Sequence, residues 1–366
     1  MKDNSKIYSL QMLRAIAASF VLLAHSQNFL HARSQINELN PFLQFGSAGV
    51  DLFFIISGFI MVIVSKSKFQ QPGASFDFII RRIIRVVPMY WLYTILIATL
   101  LVLFPQYFSA GKQFDMAHFM ASLFFIPWPN NVNMIKPVLG IGWTLNSEMY
   151  FYMIFSFLLI FPFKKLIPYL SFILFIGVLS GVLYEVDIAQ LSIITSPLVL
   201  EFLIGCIIGA IYIKNYNISK LFALSFLIIG IFGYFITSTP LPGELGINME
   251  YPSGEYGRFI KWGIPSAFLV FGVIFLERLK AIPINYFMVK LGDSSYSLYL
   301  THIFVINALG VLWIRFIHDY YNLFIVVVFF LSIYIGHLAY LIIEKPVIDY
   351  LNKHYIKHKK AKESFV

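Results

Sequence analysis

The sequence predicts an all-α integral membrane protein with about ten transmembrane helices and both termini in the cytoplasm. Three observations carry this. Of 366 residues, 59% are hydrophobic and 12% charged, and the mean hydropathy is +0.78; a soluble domain could not hide that much apolar surface. Ten apolar windows approach the ~20 residues that a helix needs to cross a bilayer. Finally, Lys and Arg are divided unevenly among the segments that join those windows.

In chain order the windows fall at 8–28, 48–65, 86–104, 148–163, 166–184, 192–213, 220–237, 259–277, 295–314 and 322–343. The first resembles a signal peptide, with Lys2 and Lys6 ahead of an apolar run. Arg14 inside that run, and the lack of a small-residue cleavage pattern, make it an uncleaved first span. The fourth window is short, and the sixth contains Glu201, an intramembrane acid to which no role is assigned. Cys206, the one cysteine, excludes an internal disulfide and fits inside a helix packed among Gly205 and Gly209.

With the N-terminus placed inside, 20 of the 27 Lys and Arg fall on inner segments, six on outer ones, and Arg14 within the membrane. Such a split is hard to obtain with a span missing or invented. Two outer segments are long. Residues 105–147 include an amphipathic stretch, Met116 to Phe125, which fits a re-entrant or surface helix. Residues 238–258, with Glu244, Glu250 and Glu255, read as a solvated loop. We expect one membrane domain over 1–350 and a basic cytoplasmic tail over 351–366 that contacts anionic lipid, with no further catalytic domain.

The net charge of +9 lies in inner loops and tail, so nucleic acid is not the expected partner. No phosphate-binding Gly-rich loop, dinucleotide turn or metal-ligand spacing is present. The internal symmetry common in transporters is also missing.

Arg14 and His25 are eleven residues apart. At ~100° per residue they return to within ~20° of one helix face, displaced ~16 Å along the axis. Ionisable groups at membrane depth are expensive and point to function. His25, near the outer end, could accept a proton from a hydroxyl as a neutral imidazole, or simply bond a neighbour at the interface. Arg14 could grip a phosphate or snorkel to the headgroups.

Arg81, Arg82 and Arg85 open the third span on the inner side. Arg82 and Arg85 share a face and Arg81 is offset. Inner arginines need no function, but three arginines rather than lysines suit bidentate phosphate recognition. Glu148 stands where the fourth span begins. It either answers the helix dipole or, at the depth of His25, orients that imidazole or binds a sugar hydroxyl. Trp143 and Tyr152 could stack on a sugar ring or belong to an aromatic belt. His302, mid-way along the ninth span, reads either as a packed polar residue or as part of the chemistry.

Taken in order, these residues and their neighbours form a pattern: Arg14-x10-His25; Gly49-Val-Asp51-Leu-Phe53-Phe54 with Ser57-Gly58-Phe59; Arg82-x-x-Arg85 with Pro88 and Tyr90. Then come Trp143-x-Leu-x-x-Glu148-x-x-Phe151-Tyr152, Ser295-Tyr296-Ser-x-Tyr299-Leu-x-His302, and Glu344-Lys345-Pro346. Over nearly the whole chain this resembles the membrane-bound acyltransferase family 3, in its stand-alone polysaccharide O-acetyltransferase branch. The resemblance implies ten helices in the inner (cytoplasmic) membrane. It implies acetyl-CoA or another acyl-CoA as donor, with no permanently bound cofactor, and a glycan or lipid-linked glycan hydroxyl as acceptor. His25 would be the catalytic base, supported by Arg14 and Glu148. Arg14, Arg81, Arg82 and Arg85 would hold the acyl-CoA, and Ser57, Trp143, Tyr152 and His302 would meet the substrate. The alternative class is a transporter or flippase of a lipid-linked anion held by the same arginines.

Overall fold

A computed structural model describes residues 7–33, 43, 45–108, 113–184, 188–237, 253–317 and 320–363. Among them every extended element is helical: α1 (Tyr8–Arg33), α2 (Gly49–Ser65), α3 (Ala74–Leu103), α4 (Met116–Leu123), α5 (Trp143–Leu158), α6 (Leu166–Leu183), α7 (Val199–Ile213), α8 (Lys220–Thr237), α9 (Ile264–Arg278), α10 (Tyr286–Asp293), α11 (Ser295–Phe316), α12 (Tyr321–Ala339) and α13 (Lys345–Glu363). All ten apolar windows lie on helices. Eight helical stretches of the described residues are long and apolar enough to cross a membrane. The two remaining windows fall on α5, of 16 residues, and on α8, whose apolar part Lys220–Ile236 is shorter. Of the solvated loop expected at 238–258, residues 238–252, with Glu244 and Glu250, lie outside the described residues, as do Lys2, Lys6 and Lys112, whereas Ser253–Arg258, with Glu255, is helical and not loop.

The bundle is assembled by close backbone approaches where lipid supplies no hydrophobic drive between helices. The tightest joins α2 to α7. A Cβ on Gly58 would stand 2.1 Å from the carbonyl oxygen of Phe202, and one on Gly205 would stand 2.1 Å from that of Ile55. Two glycines facing each other's helix thus let the backbones touch, and Cys206, fully buried beside them, donates from its Sγ to the Gly58 carbonyl at 3.4 Å. Because backbone cannot swing aside, Gly205→Val is expected to lower stability by about 1–3 kcal/mol or more. The measurement is the thermal midpoint of the detergent-solubilised protein; an unchanged midpoint would mean that α7 is free to shift.

The amphipathic stretch before the fifth helix is the short helix α4, capped by the Asp115 side chain, which accepts from the His118 amide at 2.6 Å. It docks on α3: Tyr90 OH donates to the Ser122 carbonyl and Trp91 Nε1 to that of Leu123.

One end of the bundle gathers the basic segments. The amides of Tyr8 and Ser9 donate to the Glu277 carboxylate, and Arg278 Nη1 donates to the Tyr212 carbonyl at 3.0 Å. These bonds tie the start of α1 to the ends of α7 and α9. On the other flank, Tyr355 and Lys359 both bond Asp77 at the start of α3. Residues 351–363 continue a helix begun at Lys345, with no break at 350. A π-helical turn at Tyr340–Glu344 joins α12 to α13 just ahead of Pro346, whose missing N–H cannot serve the preceding turn.

Candidate active site

Between α1, α2, α3, α5 and α11 lies a cavity of about 330 Å³. Arg14 enters it from α1, Arg82 and Arg85 from α3, Ser57 from α2, Glu148 and Tyr152 from α5, and Tyr299 from α11. The residues sit where their helices dictate: Arg82 and Arg85, three apart, share the inward face of α3, as their spacing predicts. Among the described residues no carboxylate forms an ion pair with any of the three cavity arginines. Arg14 Nη1 donates to Gln11 Oε1 at 3.2 Å. The Arg82 guanidinium lies over Tyr152, 5.8 Å from the ring centroid, and over Phe78, at 5.5 Å. Its buried Nε has no hydrogen-bond partner among the described residues. An anion entering here would meet three guanidinium groups already directed inward.

Glu148 is the principal correction to the sequence reading. It does not orient His25: its Oε1 accepts from Ser57 Oγ at 3.0 Å and from the Tyr152 hydroxyl. The carboxylate therefore belongs to the arginine-lined cavity.

The partner of His25 is His302. Nδ1 of His25 and Nε2 of His302 are 2.9 Å apart, and the rings stack with centroids 5.0 Å apart and planes at 29°. His302 is 1% exposed and meets Tyr299, their ring centroids 5.9 Å apart. Tyr299 is at once a wall of the cavity and a fixed post, because its hydroxyl donates to the Ile141 carbonyl and lies 2.8 Å from Thr144 Oγ1. Arg14 thus opens into the cavity from α1, while His25, farther along the same helix, reaches the cavity's Tyr299 wall only through His302.

Four residues expected at the site lie outside the cavity lining: His25 and His302, which reach it through the Tyr299 ring, and Arg81 and Trp143. Arg81, offset from Arg82 and Arg85, lies outside the cavity lining with its guanidinium 5.9 Å from the centre of the Tyr355 ring. Trp143 also lies outside it, between Phe54 and Arg258. Arg258, an outer-loop charge by its place in the sequence, is buried, pairs with Asp51 at 2.7 Å, and sits between Trp143 and Trp262. Asp51 in the second apolar window is the signal for it, since an acid at membrane depth demands a partner. Glu201, buried in α7, lies against Gly263, where a Cβ would stand 2.6 Å from its Oε1.

The family model described as an acyltransferase domain, of the acyltransferase 3 type, matches residues 7–342. The chain belongs to this family. It is similar to the exopolysaccharide production protein ExoZ of Rhizobium meliloti (strain 1021), 35% identical over 268 residues that cover 72% of this chain and 78% of that protein. It is also similar to the O-acetyltransferase OatA of Staphylococcus aureus (strain NCTC 8325 / PS 47), 23% identical over 337 residues, 82% of this chain and 52% of the relative. The chain thus spans about half the length of OatA. A shorter match, 36% identical over 78 residues, links it to nodulation protein 10 of Rhizobium leguminosarum bv. viciae, covering 21% of this chain and 20% of that protein. No solved structure matches. An acyltransferase embedded in a membrane is therefore the frame for the cavity and the histidine pair.

Proposed function

We propose that this acyltransferase takes an acetyl group from cytosolic acetyl-CoA and esterifies a hydroxyl of an exported or cell-surface polysaccharide across the inner (cytoplasmic) membrane. The observation that carries the reading is the cavity in which Arg14, Arg82 and Arg85 converge and whose Tyr299 wall touches His302, the partner of His25. It joins an anion-binding region to a base. The similarity to ExoZ and OatA supports a polysaccharide as acceptor and acetyl as the group moved.

In this reading the basic end faces the cytoplasm, as the Lys and Arg distribution favours. The CoA phosphates lie against the arginines and the thioester arm runs through the cavity toward His25. The acceptor hydroxyl arrives from the opposite side and attacks the thioester carbonyl. A C–O bond forms, the C–S bond breaks, and the hydroxyl proton passes to the free nitrogen of His25 and from there to the departing CoA thiolate.

The experiment compares cells carrying the wild type, a deletion and His25→Ala. Mass spectra of their surface polysaccharides should show acetyl masses in the wild type alone. Identical spectra in every glycan class would remove this function. Purified protein given acetyl-CoA and a glycan fraction should release free CoA, which a transporter of lipid-linked anions does not do.

A further inference from the structure

We propose that His302 is a positioning residue that holds His25 in the one tautomer able to act as a base; the inference rests on the proposed role of His25. The geometry fixes where the protons are. Nδ1 of His302 lies 3.2 Å from the carbonyl oxygen of Leu298, four residues earlier on α11. A carbonyl can only accept, so the His302 proton sits on Nδ1. His302 is 1% exposed, and a second proton would place an uncompensated cation beside another imidazole in an apolar setting. His302 is therefore neutral and its Nε2 carries a lone pair.

That lone pair faces Nδ1 of His25 at 2.9 Å. Two lone pairs repel at this distance, so His25 must donate, and its single proton is placed on Nδ1. Nε2 of His25 is then the unprotonated nitrogen, and it bonds no described residue. Without His302 the imidazole divides between two tautomers and two ring orientations, and only part of the population offers a base. Once Nε2 has taken the acceptor proton, the same hydrogen bond becomes one from an imidazolium and strengthens, which favours the charged state formed during transfer. His302 thus stands where a carboxylate stands in other base-orienting pairs, but it is neutral and adds no buried anion.

The pair is held in register by its helices. The Tyr299 hydroxyl pins α11 to Ile141 and Thr144. The Phe29 ring of α1 presses so closely on Gly310 of α11 that a Cβ there would stand 2.1 Å from it. Neither contact involves the imidazoles, so the fold fixes His302 independently of the bond it makes.

The test measures transfer from radiolabelled acetyl-CoA into the polysaccharide fraction of membrane vesicles carrying the full chain. Wild type, His25→Ala, His302→Leu and His302→Gln are compared, together with the double substitution of His25→Ala and His302→Leu. His302→Leu removes the acceptor at similar volume and is expected to lower kcat about 10–100-fold, the equilibrium weight of one hydrogen bond to a charged group, with KM for acetyl-CoA unchanged. His302→Gln places an amide oxygen near the position of Nε2 and should restore most of kcat. The double substitution should be no slower than His25→Ala alone, because positioning is worthless without the base.

His302→Leu at wild-type kcat, or correctly assembled His302→Gln as slow as His25→Ala, overturns the inference. Should His302→Leu fail to assemble, His302→Gln decides by the same criterion. A wild type that neither transfers acetyl nor releases CoA defeats the proposed function instead. In that case ¹⁵N spectra of histidine-labelled protein still decide the tautomer: protonated Nδ1 and bare Nε2 on His25 support the pairing, and the reverse assignment overturns it.

Discussion

Replacing His25 with alanine is expected to lower kcat for acetyl transfer by about 10²–10⁴-fold, the usual contribution of a positioned general base, with KM for acetyl-CoA close to wild type. The two parameters separate because of where the groups stand. Arg14, which would share in holding the donor phosphates, lies ~16 Å along α1 from His25, and Arg82 and Arg85 enter the same cavity from α3. Losing the imidazole removes an interaction made as the hydroxyl attacks and leaves donor binding alone, which is the signature of a lost transition-state contact. The structural cost is modest. Ala24 and Ser26 on either side stay buried in α1, and the freed Nε2 of His302 is the one polar atom left without its donor. Size-exclusion profiles and thermal midpoints matching wild type establish assembly. A variant so verified that keeps wild-type kcat would show that another group takes the proton.

Much of this arrangement is legible in the sequence, because the membrane imposes rules that act along the chain. Spanning length and the distribution of Lys and Arg are one-dimensional, and all ten windows fall on helices. The shared face of Arg14 and His25 follows from helical period alone, and so does the offset of Arg81 from Arg82 and Arg85. What the sequence hides is pairing between helices far apart in it. His25 and His302 meet across 277 positions, and Asp51 and Arg258 across 207; no local periodicity encodes either contact. Glu148 illustrates the boundary between the two kinds of information. Its position in the first turns of a helix is readable; that the cavity, and not His25, is its neighbour is not, because its partner Ser57 comes from another helix 91 positions away.

The arginines lend themselves to a sharper test than the base. Arg82→Ala and Arg85→Ala are each expected to raise KM for acetyl-CoA about 10–100-fold, and together about 10²–10⁴-fold, because each removes a charge-assisted bond to phosphate worth roughly 1.5–3 kcal/mol. Turnover at saturation should stay near wild type, since a phosphate held equally in ground and transition states contributes to binding alone. Arg82→Lys should recover only part of the loss: it keeps the charge but gives up both the planar fork and the stack on Tyr152. Arg81→Ala supplies the contrast, because a general attraction between basic residues and CoA would make all three arginines alike. Arg81 adds to the positive charge of the same end, but its guanidinium rests over the Tyr355 ring of α13, outside the cavity. A KM for Arg81→Ala within about twofold of wild type, beside large increases for Arg82 and Arg85, assigns donor recognition to the cavity. Equal increases for all three would move it to the surface of the basic end, and the cavity would then need another occupant.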